Sequence, residues 1–148
     1  MKQAGNIAHC LQELGYAVVP TKGTSMWPLL KEGESRVQLA ARDGRQLKKG
    51  DVILYRRKDG ALVLHRIMQI GEADTFLVCG DHQWKPDEPV KEEQILAVAQ
   101  AFFRNGHYID ENTRWYRLYK KFWSGNLIVR RCCLAFLRLS GLEKRSLK

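Results

Sequence analysis

Apolar positions change their period twice along the chain. Ile7, Cys10, Leu11 and Leu14 recur at helical spacing and Gly15 follows, which predicts an N-terminal helix ending at the glycine. Residues 17–19 then read as a short strand closed by Pro20, and residues 21–28 as a loop of small side chains. From there to about Ile109 the pattern is that of β-structure. Val37 and Leu39 alternate with polar neighbours, and two apolar runs, residues 51–57 and 61–70, meet through the turn Lys58-Asp59-Gly60. Residues 75–79 form another strand after a polar break, and residues 95–104 run into Asn105-Gly106, a strong hairpin signal, with residues 107–109 returning.

The last segment returns to a helical period. Trp115, Leu118, Tyr119 and Phe122 share one face, while Arg114, Arg117, Lys120 and Lys121 share the other. A second helix is predicted from about Leu127 to Leu139, with Arg130, Arg131 and Arg138 as its charged set, Cys132, Ala135 and Leu139 as packing positions and Gly141 as its stop. The predicted fold class is therefore mainly β: a coiled-sheet domain over residues 1–113 with a helix in front, and a basic amphipathic helical pair over residues 114–148.

The length, 148 residues, allows one core. The longest apolar run is about six residues, residues 132–137, where crossing a bilayer takes roughly 18–20. The N-terminal segment also lacks the apolar stretch of a secretion signal. The expected location is thus the cytoplasm, with the inner membrane face as a peripheral site. Net charge is +9, and all of it belongs to the tail: residues 1–113 carry 15 basic and 15 acidic side chains, residues 114–148 carry 10 basic and one acidic, Glu143. Such a tail suits either an anionic lipid surface or packing of its aromatics on the domain with solvated charges. It gives no sign of specific nucleic-acid binding, since the β-region shows no aromatics interleaved for base stacking. Cys10, Cys79, Cys132 and Cys133 show no metal-ligand spacing and read as reduced, buried thiols, so neither a metal nor another cofactor is expected.

Three short stretches carry candidate chemistry. In Gly23-Thr24-Ser25-Met26-Trp27-Pro28, a serine follows a glycine in a bend closed by proline, which can present Oγ to a substrate and aim backbone N–H groups at a developing oxyanion. Serine needs a base to take its proton. His65 interrupts the apolar run Leu62-Val63-Leu64-His65-Arg66-Ile67, and a neutral imidazole in such a strand can serve. Arg66 is expected to turn outward on the opposite strand face. Cys79-Gly80-Asp81-His82, with Asp87 six residues after Asp81, supplies two carboxylates able to fix the imidazole tautomer. Taken singly, each stretch is also an ordinary turn, core histidine or solvated loop.

In order, Ser25–Pro28, Gly50–Tyr55, Val63–Ile67 and Leu77–Asp81 resemble the signal peptidase I and LexA-repressor superfamily of serine peptidases. The resemblance covers about residues 20–105, and its motifs are specific as a set rather than singly. The base position holds a histidine, as in the branch that uses a Ser-His pair. The resemblance implies Ser25 as nucleophile, His65 as general base and Asp87 or Asp81 as the orienting carboxylate. It implies Gly23, Thr24, Met26 and Trp27 as the oxyanion and substrate-binding surroundings, with Trp27 and Trp84 either lining a groove or belonging to the core. Two features depart from signal peptidases: Gly23 stands where a hydroxyl residue is usual, and no anchoring segment precedes Ser25. The implied protein is a compact relative that cleaves a peptide or leader with small residues beside the cut. The alternative is a non-catalytic peptide-binding module on the same fold. Self-cleavage, a habit of the LexA side, would use Ala4-Gly5.

Overall fold

One curled antiparallel sheet organises the molecule. The computed structural model describes the backbone of residues 2–140 and the side chains of residues 5–140. Its elements are α1 (Lys2–Leu14), β1 (Tyr16–Pro20), β2 (Ser35–Ala40), β3 (Val52–Arg56), β4 (Leu62–Ile70), β5 (Thr75–Cys79), β6 (Val90–Lys91), β7 (Ile95–Arg104), β8 (His107–Asp110), α2 (Arg114–Trp123) and α3 (Leu127–Leu139). The strands run β1-β2-β7-β3-β4-β5-β6, with β8 paired to β7 off that path. The class is the mainly β one that the alternation predicts, with one helix before the sheet and two after it. The short strand β6 and the 3-10 turn Glu92–Gln94 go unmarked in the sequence pattern.

The curl has a local cause. Register shifts interrupt β2–β7 at Gln38/Leu39, β3–β7 at Leu54/Tyr55 and β4–β5 at Ile67/Gln69. An extra residue on one strand bends it and raises its twist, so three such sites roll the sheet into a half-barrel. Apolar side chains fill both sides. One cluster gathers α1, through Ile7 and Leu11, with Met26, Leu30, Val37, Leu54, Phe102 and Tyr116. The other gathers Ile53, Tyr55, Ile67, Val78 and Val98.

The tail helices pack on this frame, and the apolar face predicted for α2 divides between the core and the exterior. On α2 the inward residues are Tyr116, Tyr119 and Trp123, while Trp115, Leu118 and Phe122 are exposed. Lys120 is not a solvated charge: its Nζ lies 2.8 Å from both Asp51 Oδ1 and Glu111 Oε1. On α3, Arg130 and Leu134 are buried, whereas Cys132, Ala135 and Leu139 are exposed. Arg66 is fully buried rather than outward, because α2 crosses that face of β4 and stacks Tyr116 and Tyr119 at 6.0 and 5.5 Å from its guanidinium. Of the four cysteines, all free, only Cys79 is buried. Gly141 lies outside the described residues, and α3 closes at Ser140.

Candidate active site

Strand alternation places Val63, His65 and Ile67 on one face of β4 and Leu64 and Arg66 on the other. His65 pairs with Ile53 across the β3–β4 ladder, and its ring meets Tyr55 at a 6.1 Å centroid separation. Its Nδ1 lies 3.1 Å from Asp87 Oδ2. The same carboxylate oxygen accepts hydrogen bonds from the Tyr55 hydroxyl and, at 2.6 Å, from Arg57 Nη2. The Asp87 backbone is pinned as well, its N–H donating to the Val78 carbonyl at 2.9 Å.

These contacts set the protonation states. Partial burial works against the Asp87 charge, but the bonds from Tyr55 and Arg57 prevail and hold its carboxyl below its ordinary range. An ionised carboxylate only accepts, so the histidine proton sits on Nδ1 and Nε2 carries the lone pair. Burial lowers the His65 pKa, against the opposing pull of Asp87, so the imidazole is neutral at pH 7. Burial and the bond to Asp87 push the Tyr55 phenol up, which keeps it a donor.

Asp81 belongs to another assembly. It is fully buried on the far side, accepting from Arg66 Nε at 2.8 Å, Arg66 Nη2 at 2.7 Å and the Tyr119 hydroxyl at 2.9 Å. Of the two candidate carboxylates, Asp87 is the one that reaches His65. Asp81 instead ties β4 to α2, and the Trp123 indole N–H donates to its carbonyl at 2.8 Å.

Ser25 and His65 converge on Gly80. A Cβ built on Gly80 would stand 2.5 Å from the Ser25 carbonyl oxygen and 3.0 Å from His65 Nε2, so only glycine fits between them. The His82 N–H holds the Ser25 carbonyl at 2.8 Å, and the Trp27 N–H closes the serine turn on the Thr24 carbonyl at 3.0 Å. Among the described residues, no hydrogen bond engages the N–H of Ser25. Gly23 has φ +73°, a left-handed conformation that disfavours any side chain there.

A cleft of about 360 Å³ opens beside these groups, lined by Gly23, Ser25, Met26, His65 and Gln83 together with apolar side chains from α1, β1 and β4. Thr24 is exposed and outside the cleft lining. Trp27 is not a groove residue: it is buried against Trp123 and Leu134, with its ring edge-on to His82 at 5.2 Å. Trp84 is exposed beneath the Arg131 guanidinium, 4.9 Å away. Gly5 falls inside α1, so the Ala4-Gly5 backbone is helical rather than extended, and the Ala4 side chain lies outside the described side chains.

Tyr55, Arg57 and Gln83 take part without having been singled out from the sequence. The first two were accessible in principle. The Lys58-Asp59-Gly60 turn fixes the hairpin register, and period two then sets Tyr55 and Arg57 on the face of His65. Gln83, whose side-chain oxygen accepts from the Gly80 N–H at 3.2 Å, carries no such signal. Comparison with known proteins finds no family model that matches the chain and no curated protein that matches it at significance.

Proposed function

We propose that this chain is a serine endopeptidase using Ser25, His65 and Asp87, in keeping with the resemblance to the signal peptidase I and LexA-like enzymes. The observation that carries the reading is that Ser25 and His65 line one cleft, with the Ser25 backbone carbonyl and His65 Nε2 both beside Gly80 and Asp87 at the opposite nitrogen. In the acylation step Ser25 Oγ attacks the scissile carbonyl carbon while His65 Nε2 takes the hydroxyl proton. The imidazolium then returns that proton to the leaving amine as the C–N bond breaks. Water, deprotonated by the same imidazole, hydrolyses the ester. Asp87 stabilises the transient imidazolium through Nδ1–H, and the Ser25 N–H supplies a donor for the oxyanion. Positioned general-base catalysis contributes roughly 10²–10⁴ in rate.

The open edge of β4 fits an extended substrate. β5 pairs with β4 only from Arg66 onward, so among the described residues Leu62–Leu64 has a strand partner on its β3 side alone. A peptide can add there as a further strand, its carbonyl delivered to Ser25 and alternate side chains entering the apolar part of the cleft. The test is mass spectrometry of a diverse peptide library incubated with the purified protein. Discrete cuts that vanish in Ser25→Ala and His65→Ala are expected. A folded protein that binds library peptides without cutting them would move the reading to a peptide-binding module.

A further inference from the structure

The tail helices spend their polar and aromatic inner faces on the domain and leave apolar faces outside. On α3 the arc opposite Arg130 and Leu134 holds Ile128, Cys132, Ala135, Phe136 and Leu139, all exposed, Phe136 at 68% and Leu139 at 89%. On α2, Trp115, Leu118 and Phe122 form a second exposed stripe. Outward apolar stripes on two neighbouring helices of a small domain mark a place where something sits.

The charges beside it select the occupant. Residues 114–140 contain no acidic side chain, and Arg114, Arg117, Lys121, Arg131 and Arg138 are exposed along the flanks of the two stripes. A second copy would bring the same predominance of basic side chains, Arg114, Arg117, Lys121 and Arg131 among them, against this face. Residues 141–148 add three more basic side chains against one acidic one, a poor cover for an apolar surface. Exposed Trp, Phe and Leu bordered by Lys and Arg suit the boundary between anionic headgroups and acyl chains.

We propose that α2 and α3 seat on an anionic lipid surface through Trp115, Leu118, Phe122, Ile128, Phe136 and Leu139. The inner face of α3 holds the loop beside the cleft: buried Arg130 donates to the Gly80 carbonyl at 2.9 Å and to the Gln83 carbonyl at 3.3 Å. A lipid-seated α3 therefore holds the cleft loop next to the membrane.

Co-sedimentation of the full chain with vesicles tests this, using phosphatidylcholine alone and equal parts phosphatidylcholine and phosphatidylglycerol. Binding to the mixed vesicles, weakened by salt, is expected, with none to phosphatidylcholine. Replacing Arg114, Arg117 and Lys121 by Gln should lower the partition coefficient about fivefold per charge. Phe136→Ser with Leu139→Ser should lower it about tenfold or more. Both sets lie at exposed positions, so circular dichroism and melting should match the wild type. Equal binding to the two vesicle types, or binding that survives the Phe136/Leu139 replacement in folded protein, would overturn the proposal. So would an absence of vesicle binding with self-association that the same replacement abolishes, which would assign the face to a second copy.

Discussion

Replacing Asp87 by Asn removes one charge from the site while keeping its shape. Three donors converge on Asp87 Oδ2, from His65, Tyr55 and Arg57, so the asparagine oxygen takes that place and the imidazole keeps its proton on Nδ1. What is lost is the attraction between the carboxylate and the imidazolium of the transition state. Unit charges 3.1 Å apart attract by about 5 kcal/mol at an effective dielectric of about 20. Arg57 shares the carboxylate and about halves that value, leaving about 2–3 kcal/mol, or about 10²-fold in rate. The uncompensated Arg57 also disfavours a protonated His65, so its pKa falls further below 6.5 than in the wild type. The assay is kcat/KM against pH on the best-cleaved library peptide. The expected result is a plateau about 10²-fold lower with its acid limb shifted to lower pH. Adding Arg57→Gln should recover part of the loss, because it removes the stranded positive charge. An Asp87→Asn plateau within twofold of wild type, or an acid limb shifted upward, would refute the electrostatic role.

Further consequences concern packing and pH. Gly80→Ala would force its Cβ against the Ser25 carbonyl and His65 Nε2; activity should fall about 10²-fold or more, with a melting temperature reduced far less than in a core-cavity variant. Arg130→Met would strand the Trp123 carbonyl, take one donor each from the carbonyls of Gly80 and Gln83 and leave Asp81 with one fewer cation, destabilising the fold by about 3–5 kcal/mol in denaturant titration. His65 is buried neutral with a lowered pKa, so the unfolded chain binds its proton first. Its contribution to stability is complete above about pH 6.5 and is lost as the pH falls from there toward the folded-state value; His65→Gln should flatten that part of the stability–pH curve.

Strand alternation and turn residues made the sheet legible, and the stretches around Ser25 and His65 could be found because each interrupts a regular pattern. Other features depend on contacts that the sequence does not encode locally. Arg66 reads as an outward residue on a one-sided strand until α2 is known to cross that face. Asp81 and Asp87 occupy one loop, and only the side of the sheet that each faces separates a packing anchor from the partner of His65. On α2 two apolar arcs adjoin, and periodicity cannot say that Tyr116, Tyr119 and Trp123 turn inward while Trp115, Leu118 and Phe122 turn out. The bulges that curl the sheet leave no mark in the alternation either.

The central claim is that Ser25 becomes covalently attached to the substrate. Acid-quenching the protein during turnover of a cleaved library peptide and mapping the adduct by tryptic mass spectrometry tests it directly. Trypsin releases the nonapeptide Gly23-Thr24-Ser25-Met26-Trp27-Pro28-Leu29-Leu30-Lys31, in which fragmentation separates Thr24 from Ser25. An acyl group equal to the amino-terminal fragment of the peptide is expected on Ser25, absent in Ser25→Ala. An acyl group on another residue, or cleavage that persists in Ser25→Ala, would contradict it.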